Sequence, residues 1–462
     1  MAFILLGLSI IEVFQLNHNT FIPFVIIGAM IVSLILILNS IGSMLIFTPY
    51  FWFCFACLVY YGYGALLPEY GNFRTIEISE YYFYVDESLQ LFTNFLNVWS
   101  IAIILFFIAV LDQLEWVKRS SINVNPQFMK AIADRFAFIG VSISLAQRIL
   151  RLFLGDEYIM PGALNNLVIF MHGALFIYTY LLFKKEPKII FRFSILFIYM
   201  LFTAVFSFMK QDIIEFAMVV FFGYFLVKPS INKIMSAALI GILLFPALTL
   251  ATTFGRIISW ENDRTGDYLS TARTIVPVLM DLEILSNEIY DIESSNPGMY
   301  EDNPVWRRLS TTSAQAAAVY YSDNGLNGTS FNSIAWILLP RSLFPQKPIV
   351  TQGDTFTELV TGDSKAGGTG AGYFAEGYWN FGYGGVLFVC ITVSLILVIF
   401  SQFSLKIMPI FAFQYFPVLF YGIKTGYRVD DWFVASTVAS LPIIGVIFLV
   451  CFLLSKKLVI YR

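Results

Sequence analysis

Apolar residues in this chain recur in long blocks. They do not show the alternation of a half-buried strand or the narrow stripe of a soluble amphipathic helix. Counting blocks of about 20 mostly apolar residues predicts spanning helices at 2–16, 21–38, 43–66, 91–111, 136–154, 164–183, 189–209, 212–227, 234–254, 384–402, 407–423 and 436–455. The first block is short and the eighth opens with polar residues. The predicted fold class is therefore all-α, a polytopic membrane helix bundle of about 12 transmembrane helices. Helices 1–9 occupy residues 1–254, a large outer loop takes 255–383, and helices 10–12 follow in 384–462.

The loop has a pattern of its own. Residues 279–292 mix apolar and acidic positions as an amphipathic helix does, and 305–321, with an Ala-rich centre, predict a second short helix. Residues 333–343 are too short to span but apolar enough to lie in the interface or dip back into the membrane. The Gly- and Thr-rich stretch 351–385 predicts irregular structure or a lid. Loops of this size are usually functional.

Composition narrows the class. Of 462 residues, 58% are hydrophobic and only 13% charged, against about a quarter charged in soluble domains. The partner implied by this surface is a lipid bilayer, and nothing suggests nucleic acid. The net charge of −3 matters less than which side each charge occupies. Lys118, Arg119, Lys130 and Arg135, then Lys184, Lys185 and Lys188, Lys228 and Lys233, Lys406, and finally Lys456, Lys457 and Arg462 all fall on one side of a twelve-helix count. Positive loops stay cytoplasmic, so both termini are expected there. The first block lacks a basic n-region and is expected to be a retained helix. Cys54, Cys57, Cys390 and Cys451 lie in apolar runs, as small buried side chains do.

Candidate chemistry comes from charges in places a membrane disfavours. Arg148 and Arg151 are one turn apart on one helix face, where a cation at a bilayer centre costs about 2.5–3.5 kcal/mol on insertion scales. A double cation there suits a diphosphate; the competing reading is that both snorkel to headgroups or pair with Asp156 and Glu157. Lys210 stands at a helix end, as an anion ligand or an interfacial anchor. The outer loop adds arginines, Arg273 and Arg341 among them, and guanidinium binds phosphate bidentately. His172, mid-helix, fits a satisfied interior histidine better than a functional one.

One stretch carries a family resemblance. Leu339-Pro340-Arg341-Ser342-Leu343-Phe344-Pro345-Gln346-Lys347-Pro348 is followed by Gly372-Tyr373-Phe374-Ala375-Glu376-Gly377-Tyr378-Trp379-Asn380-Phe381-Gly382-Tyr383-Gly384-Gly385, which runs straight into a helix. This resembles the Wzy-type oligosaccharide repeat-unit polymerases, or O-antigen polymerases, of bacterial surface polysaccharide assembly. The resemblance implies a multi-pass protein of the bacterial inner membrane with a large periplasmic loop. It further implies glycosyl transfer between two undecaprenyl-diphosphate-linked oligosaccharides, donor and acceptor. A chain-length regulator and a flippase are the protein partners such a reaction invites.

Within that reading, Arg148, Arg151, Lys210, Arg273 and Arg341 are candidates to hold the leaving diphosphate. Glu376 is the first candidate for the base, with Asp354 and Glu358 behind it. Glu376 could equally be a favourable charge at a helix start. Tyr373, Phe374, Tyr378, Trp379 and Tyr383 fit sugar stacking or an interfacial aromatic belt. No cofactor and no metal requirement are expected; Val85-Asp86-Glu87 is only a faint acidic motif. An O-antigen ligase and a lipid-linked oligosaccharide flippase are the alternatives.

Overall fold

A computed structural model describes residues 21–70, 75–78, 81–84, 87–114, 125–154, 164, 166–186, 188–207, 209–261, 309–337, 339, 344, 346, 352–362, 370–406 and 413–459. Its helices are α1 (Phe21–Ile41), α2 (Pro49–Ala56), α3 (Gly64–Tyr70), α4 (Glu87–Leu111), α5 (Pro126–Leu154), α6 (Ile169–Phe183), α7 (Ile190–Phe206), α8 (Lys210–Val227) and α9 (Ile231–Glu261). After these come α10 (Thr312–Asp323), α11 (Gln352–Thr361), α12 (Tyr373–Lys406), α13 (Phe416–Tyr427) and α14 (Ser440–Val459). One antiparallel hairpin, β1 (Thr75–Ile78) with β2 (Tyr81–Tyr84), interrupts the helices in the acidic, tyrosine-rich stretch before α4.

Six helical stretches among the described residues are long and apolar enough to cross a membrane: Phe21–Phe47, Pro49–Leu67, Glu87–Leu111, Asn166–Phe183, Tyr373–Leu405 and Val434–Ser455. The expected block 2–16 lies outside the described residues. The other expected blocks coincide or overlap with helices; α5 carries Arg148 and Arg151, α8 opens with Lys210, Asp212 and Glu215, and α9 is apolar over Ile231–Phe245. The chain divides into two compact units: 1–120, 301–408 and 419–445, and 121–300, 409–418 and 446–462.

In the first unit, α1 shows the ordinary arrangement. Its buried residues Ile22, Ile26, Ala29, Met30 and Ser33 share one face, while Ile31, Ile35 and Leu36 on the other face are exposed as lipid contacts would be. α4 differs: its inward face carries Gln90, Thr93, Asn94, Asn97 and Ser100, all buried. It packs against α12 in parallel. Cys390 Sγ, Ser394 Oγ and Gln402 Nε2 donate to the carbonyls of Ser100, Ile104 and Asp112, a constant offset of 290 residues. α10 belongs to the stretch expected as outer loop, yet Gln315 through Val319 are fully buried. Its consecutive alanines, Ala316, Ala317 and Ala318, allow that close insertion beside α4 and α12.

α12 is two helices. At Phe381 (φ −143, ψ 28) and Gly382 (φ 55, ψ −141) the backbone leaves helical space, and the Gly382 conformation is one that side chains rarely tolerate. In a straight helix Gly377 and Gly385 would stand roughly 12 Å apart. Instead a Cβ on Gly385 would lie 2.0 Å from the Gly377 carbonyl oxygen. Residues 373–380 therefore form a short limb folded back on the long helix. The sequence predicts irregular structure to residue 385 and places the dipping element at 333–343; the doubled-back element is 373–380, and Ser330–Ser333 and Ile334–Ile337 are single helical turns. A glycine pair that permits helix contact looks, in sequence, the same as glycines of a loop.

The second unit packs α5, α7 and α8 around α6. A Cβ on Gly140 would come 2.7 Å from Met171 N, and one on Gly223 2.6 Å from the Phe176 carbonyl, so these glycines set the close helix approaches. Phe176 stacks on Phe416 at 4.1 Å. Asp134 accepts from Arg192 (2.6 Å) and from the Tyr178 hydroxyl (2.6 Å).

Candidate functional site

The short limb 373–380 organises the first unit's polar chemistry. Its start is anchored at one carbonyl, Val429 O, which accepts from Tyr373 N (3.0 Å) and from the Tyr61 hydroxyl (2.5 Å). Tyr61 sits in a π-helical stretch, Cys57–Tyr63, and a second one, Val434–Val438, flanks the limb on the chain's return. π-Bulges are rare and concentrate at functional sites. The Tyr373 hydroxyl bonds Thr437 Oγ1 at 2.6 Å.

On one face of the limb, Glu376 is fully buried. Ser330 Oγ donates to its Oε1 (2.5 Å), Val434 N donates to its Oε2 (3.2 Å), and Asn380 Nδ2 donates to Ser330 Oγ (2.9 Å). Asn380 Oδ1 accepts from Phe331 N at 3.1 Å. The carboxylate thus ties three segments together, with a donor on each oxygen.

Trp379, three residues on and therefore on the neighbouring part of the same side of the helical limb, borders open space. A cleft of about 460 Å³ is lined by Leu326, Asn327, Gly328, Thr329, Thr355, Glu358, Leu359 and Trp379. Its near wall is stapled to the limb: Gly328 N donates to Trp379 O (2.9 Å) and Trp379 Nε1 to Leu326 O (2.7 Å). Gly328 is required there, since a Cβ would lie 2.9 Å from the Trp379 ring and from Asn380 Nδ2. The far wall is α11. Phe356 and Thr357 are buried, and Phe356 joins Trp379 and Trp432 in an aromatic cluster with centroids 5.3 to 5.7 Å apart. Thr355 and Glu358, one turn apart, are exposed on the opposite face, toward the cleft. A carboxylate, hydroxyls and an amide around a tryptophan edge suit a hydroxyl-rich ligand.

Comparison with protein-family models, with curated proteins and with solved structures finds no match.

Glu376 and Glu358 fall in the first unit, and Arg148 and Lys210 in the second. Arg148 is half-buried on α5, its guanidinium 5.3 Å from the Tyr199 ring centre, and the Tyr199 hydroxyl bonds Ser144 at 2.7 Å. Lys210 opens α8, 5.8 Å from the Phe245 ring. Arg151 is on α5 with its side chain outside the described residues, and Arg273 and Arg341 lie outside them altogether, as do Val85 and Asp86. His172 is half-buried in α6. All four cysteines are buried and unbonded to one another.

Of the motif aromatics, Tyr373, Phe374, Tyr378 and Trp379 are core residues, and Phe381 and Tyr383 are exposed. Neither a belt nor a free stacking platform describes the first four. Sequence reasoning gave no role to Ser330, Asn380 or Tyr61. Asn380 stands four residues after Glu376, a helical spacing that could have paired them. Asp430, beside the Val429 anchor, has its carboxyl pushed up from 3.8 to about 7, first by burial and then by neighbouring Asp431.

Proposed function

We propose that this chain is a membrane glycosyltransferase that polymerises undecaprenyl-diphosphate-linked oligosaccharide repeat units. On this reading it spans the bacterial inner membrane about twelve times, keeps both termini in the cytoplasm and works at the periplasmic face. The observation that carries the reading is a coincidence: the motif residues 372–385 build the doubled-back limb, and the limb forms one wall of a sugar-sized polar cleft.

The reaction forms a bond from an acceptor sugar hydroxyl to the donor's anomeric carbon as the bond to the diphosphate oxygen breaks. The diphosphate leaves with the electron pair. Arg148, Arg151, Lys210, Arg273 and Arg341 are the proposed cations for that charge, in place of a metal. The base that takes the hydroxyl proton is Glu358 on this geometry, because its carboxylate is exposed at the cleft. Glu376, with donors on both oxygens, holds the limb that shapes the cleft.

A broken helix beside buried polar groups also occurs in transporters, which keeps a lipid-linked oligosaccharide flippase as the second reading. Deleting the chain from its host separates the readings. Single repeats on the surface support the polymerase, full-length polymer left unattached supports an O-antigen ligase, and lipid-linked repeats held at the cytoplasmic face support the flippase. Purified protein that loses activity in EDTA and regains it with magnesium would overturn the metal-free step.

A further inference from the structure

The inward face of α4 carries polar side chains that the proposed cleft does not use. Thr93 and Ser100 satisfy themselves by donating to the carbonyls of Leu89 (2.8 Å) and Leu96 (2.6 Å). The amides cannot do this. Asn97 Nδ2 donates to Gln315 Oε1 at 2.8 Å, the one bond between them. Asn97 Oδ1, Gln315 Nε2 and both terminal atoms of Gln90 find no hydrogen-bond partner among the described residues. Yet Gln90 and Gln315 are 0% exposed and Asn97 1%.

These groups form one seam. Gln90 and Asn97 share a face of α4, two turns or roughly 10 Å apart, about the length of two sugar rings. Gln315 extends the seam to the limb: a Cβ on Gly372 would lie 3.1 Å from Gln315 Nε2 and 3.2 Å from the Tyr61 hydroxyl, so the glycine lets both groups approach the limb closely. At the start of α10, Thr311 Oγ1 is likewise buried without a partner among the described residues. None of these side chains is charged, and Glu376 directs its oxygens to Ser330 and Val434. Unpaired amide oxygens accept and unpaired amide nitrogens donate. A group that both gives and takes hydrogen bonds, and has no charge, is a hydroxyl-rich one.

We propose that the seam of Gln90, Asn97 and Gln315 between α4 and α10 binds an uncharged, hydroxyl-rich group, a neutral sugar unit of the substrate. Naming the group a sugar rests on the glycosyl-transfer reading; the unpaired amides do not. The physics gives the proposal a signature. Replacing Gln90, or both members of the Asn97–Gln315 pair together, by apolar residues of the same shape is neutral or stabilising for the fold, whereas the same change removes the ligand's partners.

The test uses the full chain in lipid nanodiscs, with thermal unfolding followed against N-acetylglucosamine, glucose and glucuronate. The two neutral sugars should raise the midpoint saturably and glucuronate should not. Gln90→Met and the double variant Asn97→Leu/Gln315→Met, which removes both members of the bonded pair, should melt at or above the wild-type temperature without ligand and bind the neutral sugars about tenfold or more weakly. No saturable response of the wild type to either neutral sugar overturns the proposal, and so does a larger response to glucuronate. So does a variant that fails to fold or melts lower, because the amide is then structural. Polymer length in complemented cells separates the two readings. Neutral-sugar binding by a chain that makes no polymer sinks glycosyl transfer and leaves the seam; wild-type polymer from both variants sinks the seam and leaves glycosyl transfer.

Discussion

Two carboxylates flank the same short limb and live in opposite surroundings. Glu376 is sealed, with Ser330 on one oxygen and the Val434 amide on the other. Glu358, on α11, is exposed at the cleft. A buried carboxylate with every partner in place fixes geometry, since removing any partner strands another buried polar group. An exposed one beside hydroxyls and a tryptophan edge has room to meet a substrate. On the proposed function, the motif supplies the scaffold and Glu358, outside it, is the residue placed to act.

That contrast breaks most severely if the limb cannot fold back. Gly385→Val would drive a side chain into the Gly377 carbonyl, where a single Cβ already stands at 2.0 Å. A loss of more than about 3 kcal/mol is expected, read as a lowered melting temperature and rapid proteolysis; a normal melt would mean the limb does not double back. Next comes Glu376→Ala, which leaves Ser330 and the Val434 amide without their acceptor. It should cost about 3 kcal/mol. Glu376→Gln should keep much of that stability and some polymer, and a folded but inactive Gln variant would restore Glu376 as the base.

A smaller effect concerns pH. Asp430 lies on the segment that supplies the Val429 and Val434 anchors, and its carboxyl is raised from 3.8 to about 7. The folded chain then binds the proton more tightly than the unfolded chain does. The resulting stabilisation is complete below about 3.8 and disappears as pH rises through about 7. Asp430→Asn should flatten the fall in melting temperature between those limits, and an unchanged slope would assign it to other groups. The smallest stability effect belongs to Glu358→Gln, within about 0.5 kcal/mol, since the side chain is exposed.

Much of the helical content was legible, because blocks of apolar residues announce membrane-type helices whatever their neighbours. Burial of the cysteines was legible for the same reason. The limb was not. Glycines at 377, 382 and 385 carry no local mark that separates a loop from a close helix pair, and only the tertiary contact decides. The helix at 312–323 was foreseen as a helix, but its burial was not: an Ala-rich face suits solvent and tight packing alike. The polar spacing of Gln90, Asn94 and Asn97 was visible in an apolar block and marks one face of a helix. What that face meets depends on α10, more than two hundred residues away in sequence, as the 218-residue separation of the Asn97–Gln315 bond shows.

The central claim is that Glu358 works at the cleft while Glu376 supports it. The most direct measurement is the surface polysaccharide ladder of a host lacking the chain and complemented with Glu358→Gln, with insertion and melting checked on the same variant. Transfer should slow by about 10² to 10⁴, so a fully folded variant should leave single repeats where the wild type gives a ladder. A full-length ladder from folded Glu358→Gln would contradict the account.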